Sequence, residues 1–317
     1  MKILVCGAGG FIGTHLVSKL KQQGHYVIGA DLKYPEYSVT DADEFHVIDL
    51  RNQTNVSNLL TPDIDYIYQL AADMGGAGFI FTGENDADIM HNSASINLNI
   101  LDAMQKNGIK NVLYTSSACI YPERNQLDRD NPNCEESSAY PADPDSEYGW
   151  EKLFSERLYL SYSRNYGVNV RIARLHNVFG PLGSWNNGRE KAPAALCRKV
   201  LESSGVVEVW GPGIQTRSFM YIDECIEGIL RLANSAIKIP LNIGSARMIT
   251  INDFTKLIAT IANKNIEILN IEGPRGVMGR RSDNALIRQL LDWEPEDNLE
   301  YGIGKTCSWI KTQLLDK

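Results

Sequence analysis

The chain has 317 residues, 43% apolar and 22% charged, a balance that can bury the core of a large α/β unit and that excludes a disordered chain. A net charge of −8 disfavours a nucleic-acid partner. No stretch reaches the roughly 18 uncharged apolar residues of a membrane span. The apolar start MKILVCGA stops at glycines before a secretory core can form, and the six cysteines (6, 119, 134, 197, 225, 307) make no CxxC pair. The expectation is a reducing, cytoplasmic protein without a metal site.

Residues 2–6 read as a strand, and GAGGFIG leads into a helical pattern over 14–22. Strands follow at 26–30, 45–48 and 65–70, with a helix over 52–60. A helix over 97–106 and a strand at 111–115 continue the alternation. Residues 124–145 are polar and read as a loop. A long helix spans 146–166 and a strand 169–174. Beyond residue 180 the chain breaks into Gly/Pro-punctuated pieces at 181–188, 210–213 and 273–279. Helices lie near 192–202, 223–234 and 251–263. Strand and helix alternation predicts an α/β fold, a doubly wound parallel sheet with right-handed crossovers. The expected division is a dinucleotide-binding domain over 1–180 and a smaller mixed α/β substrate lobe over 181–317, with some elements interleaved.

Gly7, Gly10 and Gly13, with Phe11 and Ile12 between them, stand at a strand-to-helix turn. Glycine lets the turn tighten and lets backbone approach a pyrophosphate at the helix N-terminus. Asp31 ends the next strand, 18 positions after Gly13. Its carboxylate suits ribose hydroxyls and repels a 2′-phosphate, so NAD is favoured over NADP. Asp49 ends the third strand, within reach of an adenine edge.

Tyr148 and Lys152 are four apart, on one face of a helix. A tyrosine is a poor base at neutral pH, but a lysine ammonium one turn away, with an oxidised nicotinamide nearby, would lower its pKa. Ser116 and Ser117 fall at the end of a strand. Cys119 follows two residues later, and taken alone suits either a small buried core thiol or a base. The other five cysteines read as core.

These features resemble the extended branch of the short-chain dehydrogenase/reductase superfamily, the nucleotide-sugar-modifying enzymes. The carriers are GAGGFIG, Asp31, Leu70-Ala71-Ala72, Ser116-Ser117, Tyr148/Lys152 and Asn177-Val178-Phe179-Gly180-Pro181, spread over essentially the whole chain. The resemblance implies bound NAD, contacts to it from the Leu70 segment, and a Ser117–Tyr148–Lys152 triad in which Ser117 orients the substrate hydroxyl. Five further stretches are similar to the GDP-mannose 3,5-epimerase group of that branch: 72–79, 116–122, 188–195, 215–219 and Gly279-Arg280 with Ser282-Asp283-Asn284. Sugar 4,6-dehydratases carry Asp-Glu where this chain has Ala118-Cys119, so water elimination lacks its usual groups.

The mechanism this implies starts with oxidation at C4, with Tyr148 as base. The ketone acidifies C3–H and C5–H. Cys119 removes a proton from one face, Lys191 returns one to the other, and C4 is reduced again. Lys191 could equally be a solvated turn residue. Arg280 is the leading candidate for a diphosphate clamp, then Lys199 and Arg217, with Asn177 nearer the sugar or first phosphate. The resemblance adds Gly76, Glu190, Lys191 and Gln215 to the substrate pocket. It also implies a homodimer joined through a four-helix bundle. Two departures stand out: Ala77 where the plant pattern has Met, and Ser93 where many relatives carry Asn. The same scaffold also suits a GDP-sugar 4-dehydrogenase, a 4-epimerase, or a nucleotide-binding protein without catalysis.

Overall fold

The computed structural model describes residues 1–274 and 276–315. Its first half holds β1 (Lys2–Cys6), α1 (Phe11–Gln22), β2 (Tyr26–Asp31), β3 (Glu44–Val47), α2 (Gln53–Leu59), β4 (Tyr66–Gln69), α3 (Ala77–Ile80), α4 (Asp86–Asn107) and β5 (Asn111–Ser117). Next come α5 (Glu147–Tyr166), β6 (Asn169–Leu175), β7 (Val178–Phe179), α6 (Ala192–Glu202), β8 (Val206–Trp210), β9 (Thr216–Ser218), β10 (Met220–Tyr221) and α7 (Ile222–Ala233). The chain closes with β11 (Leu241–Ile243), β12 (Met248–Thr250), α8 (Ile251–Ile261), β13 (Glu267–Ile271), β14 (Gly279–Arg280), α9 (Ala285–Leu291) and α10 (Leu299–Leu315).

Seven strands form one parallel sheet in the order β11-β6-β5-β4-β1-β2-β3. The order reverses between β1 and β4, the switch point where a doubly wound sheet opens a crevice at its carboxyl edge. Along β1, side chains alternate between two cores. Ile3 and Val5 join Leu16, Leu20 and Ile226 on one face; Leu4 and Cys6 join Val56, Ile100 and Tyr159 on the other. Both faces are covered, so the central strands are apolar throughout. Each buried Leu or Ile contributes roughly 2 kcal/mol.

After residue 180 the chain builds a lobe from a three-stranded sheet (β12-β9-β14) and the parallel pair β13–β8, packed with α6, α8 and α10. It returns to the large sheet through α7 and β11, whose Leu241–Ile243 pair with Ala173–Leu175 of β6.

Several boundaries differ from expectation for local reasons. The helix expected at 97–106 begins eleven residues earlier at Asp86. Its inward positions include Ser93 and Asn97, both fully buried, and these polar residues interrupt the apolar period. Asn97 is satisfied by Glu151, Ser155, Gln69 and Tyr159; the Ser93 hydroxyl accepts from the Asp73 N–H at 3.0 Å. The loop at 124–145 contains short 3-10 turns at Glu123–Gln126 and Glu136–Ala139. The helix from Ile251 stops at Ile261, ahead of Asn263 with φ 52°.

Candidate active site

The crevice at the carboxyl edge of the sheet is a cleft of 1180 Å³ running from the α1 N-terminus into the lobe. Every residue singled out from the sequence for cofactor, substrate or chemistry borders it.

At one end, Gly7 takes φ +82° and the chain turns tightly into α1. A Cβ at Gly13 would collide with the Gly7 carbonyl oxygen, so helix and strand meet at a distance only glycine permits. Asp31 accepts from the Gly9 N–H at 3.0 Å and the Leu32 N–H at 2.7 Å. Burial raises its carboxyl pKa, and these backbone donors oppose the rise. Asp49 is held by Arg51 through Nε at 2.9 Å and Nη2 at 2.8 Å, which lowers its pKa. The glycine cradle with the Asp31 carboxylate fits a dinucleotide of the NAD type.

In the middle, β5 ends at Ser117, whose hydroxyl caps the 3-10 turn Ala118–Ile120 by accepting from the Cys119 N–H at 3.2 Å. Ser146 caps α5, which places Tyr148 and Lys152 one turn apart. Lys152 Nζ donates to the Thr115 carbonyl at 2.9 Å and lies 5.7 Å from the Tyr148 ring centre. Burial pushes the Tyr148 hydroxyl pKa well up; Cys119 and Glu151 add to this, and the Ser117 hydroxyl pulls the other way. Burial pushes Lys152 down, against the carboxylates of Glu151 and Glu156. The protein's own groups thus raise the Tyr148 pKa, and the lowering expected from the sequence counted the charge of an oxidised nicotinamide beside Lys152.

Opposite, Lys191 sits at the N-cap of α6, half-buried, its pKa lowered by burial against the pull of Cys119 and Cys225. Gly76 donates its N–H to the Arg189 carbonyl at 3.0 Å, and a Cβ there would strike the Glu190 carbonyl oxygen. The 72–79 segment therefore packs directly on the strand of backbone that carries Lys191. Glu190 accepts from Arg198 at 3.4 Å.

Arg280 is buried, and all three guanidinium nitrogens are engaged: Nε with Gln126 at 2.5 Å, Nη1 with the Cys119 sulfur at 3.1 Å, Nη2 with Asp145 at 2.7 Å. Burial alone would favour the neutral form, but the Asp145 carboxylate keeps Arg280 firmly protonated. The expected clamp is thus anchored first on Cys119, with one N–H left on each terminal nitrogen. Arg217 donates to the Thr216 and Val277 carbonyls, and burial beside Arg280 lowers it to about 10. Lys199 donates to the Glu208 carbonyl at 2.9 Å, and Asn177, at φ 39°, to the Ser218 carbonyl at 2.8 Å. Gln215 donates to the Trp210 carbonyl at 3.1 Å, while its buried Oε1 has no partner among the described residues.

Sequence reasoning missed Gln126 and Asp145, which orient Arg280, and Arg51, which holds Asp49. Arg51 is two residues from Asp49, a spacing that could have flagged it. Gln126 and Asp145 lay inside a stretch read as loop, and nothing local marks them.

A glycine-cradled dinucleotide site facing a Ser–Tyr–Lys set defines a nicotinamide-dependent enzyme of the Rossmann class. Residues 3–244 match the NAD dependent epimerase/dehydratase family, and the chain belongs to that family. It is 47% identical to the GDP-mannose 3,5-epimerase of Arabidopsis thaliana over 99% of this chain and 83% of that one. The UDP-glucuronic acid 4-epimerase of Bacillus cereus, solved with UDP-glucuronic acid and NAD, is 27% identical with a TM-score of 0.84 over 99% of this chain and 100% of that one. The UDP-glucose 4-epimerase of Thermotoga maritima shares the fold, with a TM-score of 0.88 at 24% identity over 99% and 100% of the two chains.

Proposed function

We propose that this protein epimerises a GDP-sugar, GDP-mannose at C3 and/or C5, by transient oxidation of C4. The observation that carries the reading is the presence of Cys119 and Lys191 on the same cleft as Tyr148 and Lys152, in a chain 47% identical to a GDP-mannose 3,5-epimerase. A 4-epimerase has no use for that second acid/base pair.

NAD, when bound, supplies the acceptor for the C4 hydride and returns it at the end. Tyr148 Oη takes the proton from the C4 hydroxyl, which Ser117 Oγ orients. Lys152, together with the positive charge of the oxidised nicotinamide, offsets the burial that otherwise keeps Tyr148 protonated. With C4 a ketone, the protons on C3 and C5 become acidic. Cys119 Sγ removes one, with Arg280 Nη1 3.1 Å away. Lys191 Nζ delivers a proton from the other face, and burial, by weakening its hold on that proton, suits it to donate. Arg217, Lys199 and the free N–H groups of Arg280 bind the diphosphate, and Asn177 the sugar or first phosphate. Gln215 Oε1, without a partner among the described residues, suits a ligand hydroxyl. Glu190 and Gly76 shape the wall behind Lys191. In this reading residues 1–180 chiefly hold NAD and 181–317 the nucleotide sugar.

A homodimer through a four-helix bundle of α4 and α5 belongs to the same proposal. It is supported by Leu98, Trp150 and Phe154, which are 44%, 40% and 47% exposed on those two helices. The compartment proposed is the reducing cytoplasm, which suits six free cysteines. Among the described residues, no helix is long and apolar enough to cross a membrane.

The test is incubation with NAD and GDP-mannose, followed by proton NMR of the product. GDP-galactose or GDP-gulose, with no lasting NADH, is expected. Accumulating NADH would point to a 4-dehydrogenase, and inversion at C4 alone to a 4-epimerase; either overturns the proposal.

A further inference from the structure

In the lobe, α6 and α10 meet at a pair of thiols. The Cys307 sulfur lies 2.9 Å from the Cys197 sulfur. Both residues are buried in the apolar cluster that contains Leu196, Val200, Ile303 and Ile310. A disulfide needs about 2.05 Å between sulfurs, so closure asks for an approach of about 0.9 Å. Rotation about the two Cα–Cβ bonds supplies a movement of that size.

A second feature gives access. Cys307 borders a surface cleft of 530 Å³ lined also by Leu201, Ile261, Tyr301, Gly304 and Lys311. A small oxidant entering this cleft meets Cys307, while Cys197 waits behind it.

We propose that Cys197 and Cys307 form a reversible redox pair, closed to a disulfide by a peroxide. The Cys307 thiolate attacks one peroxide oxygen, the O–O bond breaks, and a sulfenic acid and one water form. The Cys197 sulfur attacks the sulfenic sulfur, the S–O bond breaks, and a second water leaves. Two thiols lose two electrons and two protons, and one hydrogen peroxide becomes two waters. The bridge ties α6, which begins immediately after Lys191, to the C-terminal helix. Such pairs in reducing compartments are transient and sensing, not permanent staples. The pair does not depend on which sugar the cleft accepts.

The experiment uses the wild-type protein, treated with hydrogen peroxide, quenched in acid with N-ethylmaleimide and digested with trypsin without reductant. Activity is not the readout, because Cys119 is open to the same oxidant. The expected product joins the peptides 192–198 and 306–311, two hydrogens lighter than their sum, and dithiothreitol separates them. Closing so long a loop raises Tm by a few degrees, and Cys197→Ser abolishes that rise. Recovery of both peptides as separate maleimide adducts, or of Cys307 as a sulfinic or sulfonic acid with Cys197 still a thiol, would overturn the proposal.

Discussion

Tyr148 carries a proton that burial holds in place, and the catalytic reading requires that proton to move. The positively charged groups brought to it, Lys152 and the oxidised nicotinamide, must therefore do most of the activation. Tyr148→Phe keeps the ring and the packing and removes only the hydroxyl. It is expected to lower kcat by roughly 10³-fold with the fold intact, measured by steady-state kinetics beside circular dichroism. Activity within a few-fold of wild type would remove Tyr148 from the mechanism. The sequence marked Tyr148, Lys152 and Cys119 because their chemistry is local: a helical spacing, a strand end, a thiol two residues beyond a serine. Arg280 was marked as a phosphate clamp, and its guanidinium also holds Gln126, Asp145 and Cys119. Those partners lie more than a hundred residues away in sequence, so no local pattern could announce them.

Two elements carry consequences that can be measured. The second residue of the Tyr-Gly-x-x-Lys run, Gly149, lies where a Cβ would meet the Cys119 carbonyl oxygen and the Pro144 side chain. Alanine there would improve helix propensity by about 1 kcal/mol in isolation. The collision outweighs that gain, because backbone cannot rotate away. Gly149→Ala should destabilise the fold by about 2 kcal/mol in urea titration and lower kcat more than 10-fold by shifting the turn at Cys119. Unchanged stability and rate would show that the turn is free to move.

At the start of α7, burial raises Glu224 to about 7 from an ordinary 4.5, against the lowering pull of Asn298, which donates to one carboxylate oxygen. The folded protein therefore holds this proton more tightly than the unfolded chain does. The stability it contributes is full below the unfolded pKa and is lost as pH rises through about 7. Glu224→Gln should flatten the fall of Tm between about pH 5 and pH 8 and leave the variant more stable than wild type at the upper end. A parallel fall in both proteins would contradict this. The long central elements were legible because each strand or helix buries an apolar period. The N-terminal half of α4 was not, since Ser93 and Asn97 point into a buried polar network. The strands of the lobe, two to five residues long, give too few alternations to read, and α10 was not anticipated at all.

At the scale of the whole molecule, the sheet order reverses beside β1, and the lobe folds over the crevice this opens. One cleft then collects residues from Gly7 to Arg280. The outward apolar side chains on α4 and α5 bear on the proposed homodimer. Phe154→Glu, on the exposed face of α5, should halve the mass seen by light scattering while leaving the monomer folded. An unchanged mass would move the interface elsewhere or remove it.

The central claim is that Cys119 and Lys191 exchange protons on a carbon beside C4. Turnover of GDP-mannose with NAD in deuterated water, followed by proton NMR and mass spectrometry, tests it directly. The account predicts deuterium at C3 or C5 with the wild-type protein. It predicts none with Cys119→Ala, although that variant still oxidises C4. Deuterium entering at the wild-type rate in Cys119→Ala, or no deuterium in a wild-type protein that turns over, would contradict it.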